Sequence, residues 1–434
     1  MKAQTLIRSS FMRAMASPFV RNSRRVGARL KRRLRSEGPT VHYFHQVTDP
    51  FSHLAVQTLD RFSARYRVDV KTHLVPATET AYAGDAERFE PWQRTDACDI
   101  APFYGLDPTS SEAPEGQAIA QVEALLAGQT TAAGFAAVAV EAGHSLWQGR
   151  QPAVADVEPA SKEATAAALQ AGKALRTRLG HYYSAMFWFD GEWFWGVDRL
   201  CHLERRLIDE GLSRAPDAPL CVPRPVPPPA VAPHHADVTL EYFPSLRSPY
   251  TAISFRRTMA MVDRLGVRLS LRPVMPMMMR GVPAPAAKGM YILADTAREA
   301  AFYGDRFGHM VDPFGEPVRT AFSLFPWALE QGKGREYLQS YLDAAFADGI
   351  DITSQRGLAK VVERAGLSFA QASSHLNNPT WEAVLESNVQ DMLTAGLWGV
   401  PSFRVSGGGR PPFSCWGQDR LWRVETEIIR RARA

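Results

Sequence analysis

The sequence predicts a mixed α/β fold built twice in tandem, each copy interrupted by an all-helical insertion. Three observations predict it: an internal repeat at a constant offset, a proline-rich boundary, and alternating strand-like and helix-like stretches. Val41-His42-Tyr43-Phe44 leads into Asp49-Pro50-Phe51, and 199 residues later Leu240-Glu241-Tyr242-Phe243 leads into Ser248-Pro249-Tyr250. The same offset carries Val68 to Val267, Trp92 to Tyr291, Asp96 to Asp295, and Pro102-Phe103-Tyr104-Gly105 to Ala301-Phe302-Tyr303-Gly304. Near each end Trp195-Gly196-Val197-Asp198-Arg199-Leu200 returns as Trp416-Gly417-Gln418-Asp419-Arg420-Leu421, at an offset of 221, so the second copy holds about 22 extra residues. Ordered recurrence at several places is the mark of a repeated unit.

The boundary is compositional. Eight prolines fall between Pro216 and Pro233, including Pro227-Pro228-Pro229, and such a run favours an extended spacer without a core. The expected organisation is a basic, disordered tail over 1–37, a first copy over 38–214, a linker over 215–235 and a second copy over 236–434.

Each element of the second copy follows from local pattern. Val238–Phe243 alternates and is β-prone, and Pro244 and Pro249 break the run. Thr251–Leu265 reads as a helix with Ile253, Met261 and Leu265 on one face, matched by Leu54, Phe62 and Tyr66 in the first copy. Val267–Leu271 is a second short strand, and a long helical stretch runs from about Ala286 to Ala395. Strands at Pro401–Val405 and Phe413–Trp416 and a helix from Asp419 to Arg433 close the copy. Strand, helix, strand, inserted helices, strand, strand, helix is a thioredoxin-like layout.

Composition narrows the class. The chain has 434 residues, of which 45% are hydrophobic and 22% charged, which excludes a wholly disordered chain. No stretch approaches the ~18 uninterrupted apolar residues of a membrane span. Cys98, Cys201, Cys221 and Cys415 form no C-x-x-C pair, so a disulfide framework, a zinc ribbon and a dithiol redox centre are not expected, and the expected compartment is the cytoplasm.

The net charge of +5 is a tail property. Eleven of the 50 Lys and Arg lie in residues 1–36, which hold no acid, so residues 37–434 carry 39 basic against 45 acidic residues, net −6. Nucleic acid is therefore not an expected partner. The tail lacks the apolar core of a secretory signal, and it reads as a solvated extension, a contact with an anionic membrane surface, a transit peptide or a nucleic-acid contact. A homodimer is left open.

The ordered motifs Ser248-Pro249-Tyr250, Lys288-Gly289-Met290-Tyr291, Gly399-Val400-Pro401-Ser402-Phe403 and Trp416-Gly417-Gln418-Asp419-Arg420-Leu421 closely resemble one family. It is the DsbA-like family of 2-hydroxychromene-2-carboxylate isomerases and kappa-class glutathione transferases. The resemblance covers nearly all of 238–430 and implies a thioredoxin domain interrupted by helices, with glutathione as cofactor.

The resemblance also implies roles. Ser248 stands where dithiol relatives place their reactive cysteine; its hydroxyl would donate to the glutathione sulfur, and the helix start behind it favours the thiolate. Val400 and Pro401 resemble the cis-proline loop that pairs with the cofactor backbone. Gln418 and Asp419 match the pair that holds the γ-glutamyl end, although an Asp opening a helix equally reads as a cap. Lys288 matches a lysine aimed at a cofactor carboxylate. Met279 stands where the family carries a glutathione-contacting Asn, and Met277–Met279 would make an apolar wall.

The first copy departs further. Asp49 replaces the serine and would repel a thiolate; Phe89 stands at the lysine position, Ala185 near the proline, and Val197 at the glutamine. His42, His45 and His53 lie close together without convincing further ligands, so no metal is expected. The sequence points to a glutathione-dependent isomerase or transferase acting on a hydrophobic, aromatic carbonyl compound, with the activity in the second copy. The alternative is a non-catalytic double thioredoxin-fold module that binds a peptide or protein.

Overall fold

The computed structural model describes residues 3–229, 237–282, 285–376 and 378–432. The chain forms two compact units, residues 22–225 and residues 226–434 together with 1–21. Within the first, β1 (Thr40–His45), β2 (Asp69–Leu74), β3 (Met186–Phe189) and β4 (Glu192–Trp195) form one sheet in the order β2-β1-β3-β4. β1 and β2 are parallel, whereas β3 and β4 join antiparallel. A parallel pair needs a crossover, here supplied by α3 (Pro50–Val56) and the helix Leu59–Arg65.

The expected single helix of this copy is thus broken at Gln57 and Thr58. The Thr58 hydroxyl turns back to donate to the Ala55 carbonyl at 2.6 Å, a local bond that competes with helix continuation. Between β2 and β3 stand the inserted helices, chiefly α4 (Ala86–Ile100), Gly116–Ala127, Ala132–Trp147 and Lys162–Arg178. The last lies so close on β2 that a Cβ on Gly172 would stand 2.0 Å from the Leu74 carbonyl oxygen. After β4 comes α5 (Gly196–Asp209).

The second unit has the same strand order. β5 (Val238–Phe243), β6 (Arg268–Leu271), β7 (Ser402–Gly407) and β8 (Arg410–Trp416) pair as β6-β5-β7-β8, with β5 and β6 parallel and the rest antiparallel. α6 (Pro249–Leu265) makes the crossover as one helix, burying Ile253, Met261 and Leu265 as the spacing predicts. The expected long helical stretch is a set of shorter helices, beginning with α7 (Ala286–Tyr303) and ending with Thr380–Thr394. α8 (Leu421–Ala432) closes the unit. Among the described residues no helix is long and apolar enough to cross a membrane.

Residues 3–34 are not the disordered tail expected from the sequence: they form α1 (Ala3–Ala16) and α2 (Pro18–Leu34). Arg8 pairs with Asp312 at 3.2 Å, and Ala16 joins the core of the second unit. Arg25 holds Glu192 at 2.9 Å, while Arg32 reaches Asp190 and Glu210. Carboxylates of the acidic body thus pair with Arg8, Arg25 and Arg32. The expected linker also differs. The Cys221 and Val222 amides donate to the Glu204 carboxylate at 2.6 and 2.9 Å, and Val222 is buried, so this part of the proline-rich run packs on the first unit. Its residues 230–235 lie outside the described residues.

Candidate functional site

The register of the second sheet brings Ser248, Val400 and Pro401 to one end of it. Phe243, the last residue of β5, pairs with Ser402, the first of β7. The chain leaving β5 reaches Ser248 five residues later, while the chain entering β7 arrives through Val400 and Pro401, so both approach the same end of the sheet.

Ser248 is the N-cap of α6. Its extended backbone (φ −95°, ψ 116°) lets Oγ accept from the Thr251 amide at 3.2 Å, and Pro249 opens the first turn, where no amide is needed. A hydroxyl that accepts from the helix still has its own proton to donate. The 17 residues of α6 add positive potential at this end. Ser248 is largely buried, and the neighbouring Ser245 hydroxyl is buried without a hydrogen-bond partner.

The Val400–Pro401 peptide is cis, as the resemblance implies. Two contacts hold the loop: the Gly417 amide donates to the Pro401 carbonyl at 3.0 Å, and the Ser402 hydroxyl donates to the Gly399 carbonyl at 2.8 Å. Gly399 lies against the Trp416 indole, where an added Cβ would come within 2.3 Å. Trp416 packs on Trp398 with ring centroids 4.8 Å apart.

Lys288, on the first turn of α7, is brought to this cluster, its Nζ 5.9 Å from the Trp398 ring centroid. Burial lowers its pKa to about 8, because an ammonium group loses hydration there. A bound carboxylate would favour the charged form.

The other predicted contacts are placed differently. The Gln418 side chain is buried, accepting from Arg257 Nη2 at 3.1 Å and donating to Glu299 at 2.8 Å, so it ties α6 to α7 and serves the interior. Asp419 is half-buried in the short turn Gln418–Arg420 that leads into α8, and its carboxylate folds over Gly417. In the first unit Asp198 is buried and accepts from the Tyr104 hydroxyl at 2.9 Å, a structural bond.

Met277–Arg280 forms a 3-10 turn. Met279 packs against the core, while the exposed Met278 offers its sulfur to Arg247 at 3.3 Å. Arg280 and Trp398 were not candidates in the sequence. The Arg280 guanidinium donates to the carbonyls of Met275 and Trp398 at 3.1 and 2.8 Å, bracing the residue before Gly399. The Trp just before Gly399-Val400-Pro401 was the available signal.

The first unit holds an equivalent frame with different chemistry. The Gly196 amide donates to the Ala185 carbonyl at 2.8 Å, as Gly417 does to Pro401. Asp49 caps α3, accepting from the Phe51 amide at 3.0 Å and the Ser52 hydroxyl at 2.8 Å. Phe89 is buried on α4, with no lysine in its place. Val197 is buried as well. His42 Nδ1 lies 2.8 Å from His73 Nε2, and among the described residues no group of three or more ligand-type side chains could hold a metal.

The model of the DsbA-like thioredoxin domain matches residues 239–428. This part of the chain is a DsbA-like thioredoxin domain. Among solved structures, a 2-hydroxychromene-2-carboxylate isomerase is similar at 18% identity, covering 45% of this chain and 96% of that chain with a TM-score of 0.38. The cytosolic disulfide reductase DsbM from Pseudomonas aeruginosa is similar at 22% identity over 45% of this chain and 99% of that chain, TM-score 0.36. The same reductase with GSH matches at 22% identity over 44% and 99%, TM-score 0.35. No curated protein matches the chain.

Proposed function

We propose that the DsbA-like domain is a glutathione-dependent isomerase or transferase for a hydrophobic, aromatic carbonyl compound, working in the cytoplasm. The observation that carries this reading is Ser248 Oγ at the start of α6, at the same sheet end as the cis Val400–Pro401 loop. The donor set fits a glutathione molecule: a hydroxyl and a helix start for a sulfur, loop backbone for a peptide, and a buried ammonium for a carboxylate. Bound glutathione supplies a thiolate nucleophile able to add reversibly to a conjugated carbon.

In this reading Ser248 donates its proton toward the sulfur and keeps it ionised. Lys288 orients a carboxylate, Val400 and Pro401 align the peptide backbone, and Met278 stands toward the substrate side. Asp419 is retained as a contact for the cofactor ammonium, whereas Gln418 acts only through the packing of α6 on α7. The shared topology and the matching Gly196–Ala185 and Gly417–Pro401 bonds support descent of both units from one duplicated domain, the first having lost the thiol site. Disulfide exchange is disfavoured, since Ser248 occupies the nucleophile position and no C-x-x-C is present. The interior role of Gln418 and the absence of an amide at Met279 favour the second reading, a non-catalytic peptide-binding module.

Turnover of the full chain on a conjugated aromatic keto acid, with and without reduced glutathione, separates the two. The enzyme reading expects glutathione-dependent conversion that Ser248→Ala lowers about 10- to 100-fold, the worth of a hydrogen bond to a charged group of about 1.5–3 kcal/mol. Unchanged turnover in that variant would remove Ser248 from the mechanism.

A further inference from the structure

The first unit carries a cavity of about 270 Å³ lined by Asp49, the counterpart of Ser248, and by Ser184, next to the counterpart of Pro401. All its lining residues fall between Gln46 and Trp195. Ligand pockets run from about 300 to 1,000 Å³, so this one suits a small molecule. A space is thus open beside Asp49 even though the counterparts of Ser248, Lys288 and Pro401 are not serine, lysine and proline.

Its chemistry is the inverse of a thiolate site. The Asp49 carboxylate lies on the wall with only 5% of the residue exposed, and Ser184, also buried, stands beside it. Hydrogen bonds from Ser52, Ser184 and the Phe51 amide fix the carboxylate in place; burial raises its pKa above the usual carboxylate value, and these bonds oppose only part of that rise. Glu90, on the exposed face of α4, adds a second carboxylate. Arg94 also lines the cavity, with its Nε donating to the Ser111 carbonyl at 3.0 Å, so the lining is net negative.

Aromatic rings complete it. Phe89, Tyr183 and Trp195 line the same space, with the Tyr183 ring 6.0 Å from Phe89 and 6.1 Å from Trp195. A fixed carboxylate beside several aromatic rings attracts a cation by charge and by the ring quadrupoles, and it rejects an anion of the same shape.

We infer that this cavity is a binding site for a small organic ammonium ion, held by Asp49 and the rings of Phe89, Tyr183 and Trp195. The site lies wholly within the first unit and does not depend on glutathione binding by the second.

The test is calorimetric titration of the full chain with benzylamine, benzyl alcohol and benzoate, which share a shape and differ in charge. Benzylamine is expected to bind at least about tenfold more tightly than benzyl alcohol, about 1.4 kcal/mol, with benzoate weaker still. Asp49→Asn keeps a capping oxygen and removes the charge; it is expected to weaken benzylamine about tenfold and leave benzyl alcohol unchanged. Glu90→Gln, at an exposed position, serves as a second variant and should weaken benzylamine two- to threefold. Equal binding of the amine and the alcohol by the wild-type chain would overturn the proposal. So would no amine binding at millimolar concentration, or benzylamine affinity unchanged in folded Asp49→Asn.

Discussion

Lys288 shows how one side chain couples the site to stability. In the unfolded chain its ammonium titrates near 10.5, and in the fold burial lowers this to about 8. Between those values the unfolded state binds more protons than the folded state, so this residue makes stability rise with pH across that window and costs stability below it. Lys288→Met should therefore raise stability at pH 7 and flatten the rise from pH 8 to 10.5, read as the difference between variant and wild-type urea denaturation curves. The same variant should weaken glutathione binding if the ammonium holds a cofactor carboxylate. A variant as pH-dependent as the wild type would place the charge outside the buried cluster.

Among the elements, the β7 entry loop is the most constrained. A side chain at residue 399 must displace the Trp416 indole, and with it the contact to Trp398 and the bracing by Arg280. Gly399→Ala is expected to cost about 1–3 kcal/mol, the usual range for overpacking, and to lower glutathione affinity because Val400 shifts with it. Thermal unfolding beside a ligand titration checks both; wild-type stability would mean the indole has room to move. The element order was readable in the sequence because strands and α6 follow local periodicity and proline breaks. What was not readable depended on distant partners. Gln418 meets Arg257 and Glu299 across 161 and 119 residues, and nothing local shows which way its amide turns. The arginines of α2 likewise find Asp190, Glu192 and Glu210 more than 150 residues away, so a run read as solvated is an ion-paired helix.

At the scale of the whole molecule, two units of the same topology carry different site chemistry: Ser248 at a helix start and a buried Lys288 near Trp398 in one, Asp49 among aromatic rings in the other. The first unit also holds neutral histidines, His45, His53 and His181 buried and His73 half-buried. Burial lowers His45 and His181 to about 3 and His53 and His73 to about 4, against 6.5 in the unfolded chain. As pH falls from 6.5 toward 4 the unfolded chain takes protons that the folded unit refuses, so stability is lost through that window. Urea denaturation of the full chain at pH 7 and pH 5 should show this loss, and His45→Gln should reduce it; equal midpoints for the wild-type chain at the two values would contradict it.

The central claim is that Ser248 and the start of α6 stabilise a thiolate. It is tested most directly by following the ultraviolet thiolate absorbance of reduced glutathione bound to the full chain as a function of pH, beside the Ser248→Ala variant. The account predicts that the bound thiol ionises below its free value near 8.5 and that the variant returns it toward that value. A bound thiol titrating as in free solution, or no binding at several millimolar, would contradict it.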